Sequence, residues 1–293
     1  MVQGKSKVGF LLQHGISELQ QAGIEEAQTD ATQLLCSCLS LSRTSLYLAA
    51  QEDVSPDSTR HYLALLARRK MREPLAYIIG EREFWSLPFR VTPAVLIPRP
   101  ETEFLLETVF AKRNQKISDL KILDMCCGSG VIAVVLAREL NQGVTAVDLS
   151  LEAIEIAREN SRRHNVDERI SFLQADLFSS FMAGTTFSLI VSNPPYVRYS
   201  DIISVLEPEV AHHEPLIALN GGKTGLELIE RMKESLADVM DYGGDFFMEI
   251  GEHQGQLIQS MFIEHGDDDY DFVDLYADYS GRDRVIHIRK KQR

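Results

Sequence analysis

Long apolar runs are missing from this chain of 293 residues. The longest covers residues 131–137, well short of the ~20 apolar residues that a membrane-spanning helix needs. The stretch 8–12 is interrupted by Gln13 and His14 too soon to form the apolar core of a secretion signal. Cysteine is scarce as well. The 4 cysteines fall as Cys36/Cys38 and Cys126/Cys127, which is neither a C-x-x-C pair nor a set with histidines at zinc-ligand spacing. A disulfide framework and a structural zinc site are thereby excluded, and reduced thiols are expected. Positive charge is in deficit, with 30 basic residues against 43 acidic ones and a net charge of −13. Neutralised phosphates supply most of the affinity for nucleic acid, so a duplex-tracking surface is not expected. Repeats and low-complexity segments are absent. The expectation is a cytoplasmic globular protein, acting as a monomer, with no membrane and no direct nucleic-acid partner.

Up to about Pro74 the pattern is helical. Leu11, Leu12, Ile16 and Leu19 share one face, and Ala31, Leu34, Leu35 and Leu39 share another, with no strand pattern between them. Ser55-Pro56-Asp57 reads as an N-cap, a proline at the first helical position and an early acid, opening a helix through Tyr62, Leu65 and Leu66. Residues 1–74 are thus expected as a small helical bundle. From Leu75 the composition turns β-rich, with Tyr77, Ile78, Ile79, Phe84, Phe89, Val91 and Val95 broken by Gly80, Pro88 and Pro93. Residues 75–96 read as a β-hairpin linker, with Trp85 as a packed wedge between domains. Ile97-Pro98-Arg99-Pro100-Glu101-Thr102 then opens a helix, putting polar groups at a domain junction, where clefts are common.

Beyond Leu120 strands and helices alternate, which predicts a doubly wound, mostly parallel sheet. Strands are expected at 121–124, 144–148, 170–173, 187–192 and 245–250, and the chain closes on a strand pair at 272–276 and 285–288, around the turn at Ser280-Gly281. The fold class is therefore α/β, Rossmann-like, with an antiparallel C-terminal hairpin and the N-terminal bundle.

Two strand ends carry the candidate chemistry. Asp124 precedes the turn Cys126-Cys127-Gly128-Ser129-Gly130, where glycines let backbone approach a ligand and the next helix offers its N-terminal N–H groups. Asp148 ends the second strand, placed to accept from ribose hydroxyls. Gly128-x-Gly130-x-x-Ala133 also fits the dinucleotide fingerprint, so a nicotinamide enzyme stands as a rival. Asp124, able to meet an ammonium group, and Asp176 after the third strand favour an adenosine that carries an amino acid. The fourth strand ends in Asn193-Pro194-Pro195-Tyr196. Pro194 forces Asn193 to be extended, and neither proline has an N–H, so acceptors are left at the carboxyl edge of the sheet. The plainer reading of this turn is a strand terminator.

These motifs resemble those of S-adenosylmethionine-dependent methyltransferases, and specifically the HemK/PrmC type, which methylates a glutamine side-chain nitrogen in peptide chain release factors. Asn193-Pro194-Pro195-Tyr196 is similar to the motif of amino-methyltransferases that act on planar nitrogens. More selective are Arg72-Glu73-Pro74-Leu75-Ala76-Tyr77-Ile78-Ile79-Gly80, Phe84-Trp85 and the segment from Ile97 to Thr102. Glu214-Pro215, Ala218-Leu219, Gly221-Gly222, Gly225-Leu226 and Ser280-Gly281 with Arg284 also match. The family usually has glycine at Cys126 and commonly an aromatic at Leu177, for which neighbouring Phe178 would compensate.

The resemblance implies S-adenosylmethionine bound by Asp124, Cys126, Cys127, Gly128, Ser129, Gly130, Asp148, Asp176, Leu177 and Asn193. It implies a release factor as protein substrate, recognised by residues 1–74, with residues 97–293 as the methyltransferase domain. Asn193, Pro194 and Tyr196 are the candidate catalytic residues, and Asn193, Pro194, Pro195, Tyr196, Arg99 and Glu101 the substrate-binding ones. Within this class the rivals are a methyltransferase for a ribosomal-protein glutamine and an adenine-N6 nucleic-acid methyltransferase; outside it, a cofactor-dependent binding module. No metal is expected, since the adjacent side chains of His212-His213-Glu214 do not converge on one ion. Asp267-Asp268-Asp269 reads as a solvated turn, and the final residues from Arg289 as a basic tail.

Overall fold

The computed structural model describes residues 6–114, 119–263 and 269–292. The chain forms two compact units, one of Met1–Gly80 with Glu207–His213 and one of Glu81–Leu206 with Glu214–Arg293. Asp267 and Asp268 of the expected acidic turn lie outside the described residues.

The smaller unit packs helices Val8–Gln21, Ala27–Leu39 and Pro56–Lys70, with shorter helices Arg43–Leu48 and Leu75–Ile79. Its core holds Leu11, Leu19, Leu34, Leu35 and Tyr62 at essentially zero exposure, each such aliphatic side chain contributing about 1.5–3 kcal/mol. The cap at Ser55 is formed, its hydroxyl accepting the Ser58 N–H at 3.0 Å, and Arg68, Arg69 and Lys70 close the helix at its negative end. Two features depart from the sequence reading. A two-residue strand pair, β1 (Ser6–Lys7) and β2 (Asp53–Val54), tethers the first helix. The segment after Pro74 forms a helix rather than the start of a hairpin. Pro74 is its N-cap, a place where a missing N–H costs nothing, and Ile78 is buried in the bundle core with Leu75 and Ile79 against it. Tertiary burial outweighs the β-leaning composition.

In the larger unit the hairpin is shorter than expected, β3 (Glu81–Phe84) pairing with β4 (Leu87–Arg90). Trp85 packs on Phe110 at 5.8 Å between ring centres, a contact within this unit. Among the described residues the main sheet has seven strands, β5 (Ile122–Met125), β6 (Val144–Asp148), β7 (Ile170–Gln174), β8 (Phe187–Ser192), β9 (Met240–Glu249), β10 (Tyr270–Ala277) and β11 (Asp283–Lys290). Their order is β10-β11-β9-β8-β5-β6-β7. The five strands from β5 to β9 run parallel, and β10 and β11 are antiparallel. β5 and β8 are buried at every residue, as central parallel strands covered on both faces must be. Arg289 and Lys290, read as part of a tail, belong to β11. Arg289 bonds Asp245, and the Lys290 ammonium donates to the Ala237 and Met240 carbonyls.

Candidate active site

The strand order reverses at β5, with β6 and β7 on one side and β8 and β9 on the other. Such a switch point opens a crevice beyond the carboxyl ends of the strands. Met125 pairs with Ser192, so Cys126 and Asn193 leave the sheet side by side. Ser192 ties the two exits together, its hydroxyl donating to the Met125 carbonyl at 2.8 Å.

A cavity of about 570 Å³ lies there, within the 300–1,000 Å³ range of small-molecule sites. Of the residues named from sequence, Cys126, Cys127, Gly128, Ser129, Asp148, Asp176, Leu177, Asn193 and Pro195 line it. Gly128, at φ +51°, has nothing within 4 Å of where a Cβ would stand, so the turn presents open space and backbone to a ligand. The Asp148 carboxylate accepts the Gly128 N–H at 2.8 Å and the Ser150 N–H at 2.9 Å. Burial raises its pKa, against the pull of those N–H groups. Each oxygen keeps a second lone pair for a hydroxyl donor. Leu149, Val147 and Leu177 add apolar surface. Size, carboxylate, apolar wall and open glycine turn together fit an adenosine-type cofactor.

Other named residues are placed differently. Asp124 is fully buried and outside the lining; one oxygen accepts the Ala133 N–H at 2.9 Å, and the other has no hydrogen-bond partner among the described residues. It sits under the turn as a helix anchor rather than facing an ammonium group, and burial pushes its pKa up to about 8. Gly130 is also absent from the lining; at φ +80° it packs against Ala157. Phe178 is packed in the core and does not reach the cavity to stand in for an aromatic at Leu177. Arg99 pairs with buried Glu214, which also accepts the Ile97 N–H at 3.1 Å. That clamp ties residues 97–99 to the segment after Glu214, and both neighbourhoods contribute walls, through Pro98, Leu216, Ile217 and Ala218. Glu101 is half-buried in the first turn of helix Pro100–Lys112, again outside the lining.

The Asn-Pro-Pro-Tyr turn is held from behind. Val197 donates to the Leu219 carbonyl at 3.0 Å, Gly221 to the Val197 carbonyl at 2.8 Å, and the Gln254 amide to the Tyr196 carbonyl at 3.0 Å. A Cβ on Gly221 would stand 2.8 Å from the Pro195 carbonyl oxygen and from Tyr196 Cα. Only glycine allows so close a backbone approach. The Asn193 amide nitrogen donates to the Thr102 hydroxyl at 3.0 Å, and the Tyr196 hydroxyl to Glu249 at 3.0 Å. Pro194 and Tyr196 are not among the lining residues. Burial, and then the neighbouring Glu249 charge, hold the Tyr196 hydroxyl well above its ordinary pKa.

Sequence reasoning missed several contributors. Arg231 lines the cavity, as does Thr102 from the polar segment at 97–102, and Arg231 is paired to Asp176 at 2.8 Å. Fully buried Asn160 donates to the Ser129 and Arg90 carbonyls at 2.9 and 3.0 Å and accepts the Arg90 N–H at 2.7 Å, locking the glycine turn to β4. An asparagine inside a helical pattern gives no local sign of that task. Among the described residues no group of three or more His, Cys, Asp or Glu could hold a metal, and no helix is long and apolar enough to cross a membrane.

Sheet order, switch-point cavity and glycine turn define a Rossmann-like α/β domain of the methyltransferase type. The Pyrococcus furiosus methyltransferase crystal structure has this fold, with a TM-score of 0.53 at 21% identity, over 78% of this chain and 98% of that one. The family model described as PrmC N-terminal domain matches residues 11–80, and the methyltransferase small domain model residues 100–213. The chain is 38% identical to a release factor glutamine methyltransferase of Vibrio cholerae serotype O1, covering 94% of this chain and 93% of that protein. It is 36% identical to one of Clostridium botulinum, covering 96% and 98%. The chain belongs to the release factor glutamine methyltransferase family.

Proposed function

We propose that the protein transfers a methyl group from S-adenosylmethionine to the side-chain nitrogen (N5) of the glutamine in the Gly-Gly-Gln motif of peptide chain release factors. The observation that carries this reading is that Asn193 lines the same cavity as the glycine turn and Asp148, bringing a carboxamide to the place where an adenosine cofactor fits. When bound, the cofactor supplies a methyl on a sulfonium, an electrophilic carbon.

An amide nitrogen is a poor nucleophile because its lone pair is delocalised into the carbonyl. The catalyst must therefore hold it in line and favour the positive charge that develops on nitrogen. Asn193 Oδ1 accepts one N–H and the Pro194 carbonyl the other, while Tyr196 backs the flat amide. Orientation of two bound reactants removes roughly 7–11 kcal/mol of barrier. The attacking nitrogen becomes acidic only after attack, so its proton leaves late and no strong base is required. The helical unit recognises the release factor, and the larger unit carries the chemistry. The protein works in the cytoplasm as a monomer, and its net charge of −13 supports a reading without direct nucleic-acid contact.

Intact-mass analysis of purified release factors incubated with the protein and S-adenosylmethionine tests the proposal, followed by peptide mapping. One methyl on the Gly-Gly-Gln glutamine is expected. Transfer only to a ribosomal protein or to adenine, or no transfer at all, overturns it.

A further inference from the structure

We infer that Glu249, acting through Thr102, is a positioning residue that fixes which end of the Asn193 amide faces the substrate. The inference rests on the proposed role of Asn193 as an acceptor for the substrate N–H.

Glu249 ends β9, one residue beyond the pair Ser192 and Met248, so the parallel register sets it alongside Asn193. It is 1% exposed, and Thr102, in the first turn of helix Pro100–Lys112, is 2% exposed. The Thr102 hydroxyl donates to Glu249 Oε2 at 2.7 Å, and the Tyr196 hydroxyl to Oε1 at 3.0 Å. A hydroxyl has one proton. With the Thr102 proton committed to the carboxylate, its oxygen can only accept on the side facing Asn193, 3.0 Å away. The Asn193 atom at that contact must therefore be the nitrogen. Its Oδ1 becomes the end of the amide that accepts from a ligand, in a residue that lines the cavity.

An asparagine amide without such a neighbour has two nearly isosteric orientations, and the wrong one offers a donor where the reaction needs an acceptor. The carboxylate serves because it accepts on both oxygens. It draws the Thr102 and Tyr196 protons inward together and so sets both polar side chains of the motif at once. Burial raises the Glu249 pKa above the ordinary carboxylate range; the hydrogen bonds from Thr102 and Tyr196, and then the charge of Arg284, 8% exposed in β11, pull back toward the carboxylate form, opposed by Glu101.

The test replaces the hydroxyl by a methyl of the same size. In Thr102→Val, turnover should fall by about 10- to 100-fold, the cost typical of losing a group that orients a reacting one, a larger loss than any in cofactor affinity by calorimetry. Thr102→Ser, which keeps the hydroxyl, should restore turnover. Equal loss in both variants, or wild-type turnover in Thr102→Val, overturns the inference. A second readout needs no methyl transfer. In protein labelled with nitrogen-15, one Asn193 side-chain amide proton should exchange slowly with water in the wild type and Thr102→Ser, and rapidly in Thr102→Val. Exchange rates that do not change overturn the orienting role even in a folded variant. If wild-type protein methylates no release factor while the exchange pattern holds, the substrate reading fails and the positioning of Asn193 stands.

Discussion

His287 Nε2 lies 2.8 Å from Asp245 Oδ1, and both residues are 1% exposed. Arg289 donates to the same oxygen at 2.7 Å, the Asn114 N–H donates to the other at 2.5 Å, and the imidazole stacks on Phe247 at 3.9 Å. Burial alone would raise the Asp245 pKa, but the hydrogen bonds from His287, Arg289 and Asn114 outweigh it and the net shift is downward. A depressed carboxyl contributes stability that is fully present above its unfolded value near 3.9 and is lost as pH falls through the folded value. Asp245→Ala leaves the buried His287 ring and the half-buried Arg289 guanidinium without their shared acceptor and should cost about 2–3 kcal/mol in urea denaturation at pH 7. It should also flatten the fall in stability below about pH 4. An unchanged acid limb would show that the pair contributes nothing.

Asp124 has the opposite sign. Burial pushes its pKa up to about 8, so the folded state holds a proton that the unfolded chain releases near pH 4. Its contribution is fully present below the unfolded value and declines as pH rises through 8, by up to about 1.4 kcal/mol per pH unit. Asp124→Asn should remove that slope between pH 5 and 8 in the cofactor-free protein, as read from urea midpoints. Parallel wild-type and variant curves would exclude the assignment.

Gly130 should not tolerate a side chain. A Cβ there would stand 2.8 Å from the Ala157 Cβ and 3.1 Å from its Cα, on a backbone at φ +80°. Gly130→Ala combines left-handed strain with overpacking and should lower stability by about 3 kcal/mol, measured by thermal unfolding. A loss under about 1 kcal/mol would mean that helix Leu151–Arg163, which carries Ala157, shifts to make room.

Cys126 shows why glycine suits its position, since its φ is 63°. Left-handed backbone costs an ordinary residue about 1–2 kcal/mol, so Cys126→Gly should leave the fold intact and gain up to about 1 kcal/mol. Cys126→Val, β-branched at the same angle, should lose about 2 kcal/mol. Denaturation midpoints rank the three proteins, and a valine variant as stable as the parent would refute the strain argument.

Asn193→Ala should depress turnover by about 100-fold, the effect of removing one preorganised polar partner of a developing charge. Cofactor affinity by calorimetry should change little. A variant with parental turnover would exclude Asn193 from the chemistry.

The sheet was readable because its signals are local. The apolar run at 187–192 is β8 residue for residue, and 144–148 is β6. Boundaries failed where burial overruled composition, as at Leu75–Ile79, which reads as strand and forms helix. Site residues divided on the same principle. Cys126 and Asn193 directly follow strands that short apolar runs reveal, and they do line the cavity. Arg99 and Glu101 sit in an equally legible motif, yet Arg99 is spent on Glu214.

The order of elements and the two turns at which ligands gather follow from the amino-acid sequence alone, because glycine, proline and apolar periodicity act on near neighbours. Which end of Asn193 faces outward does not. That depends on Thr102, 91 residues earlier, and on Glu249, a further 147 residues along from Thr102. Only the parallel register of β8 and β9 and the docking of one helix bring the three within hydrogen-bond distance, since a proton's direction is set by contacts in space and not by spacing along the chain.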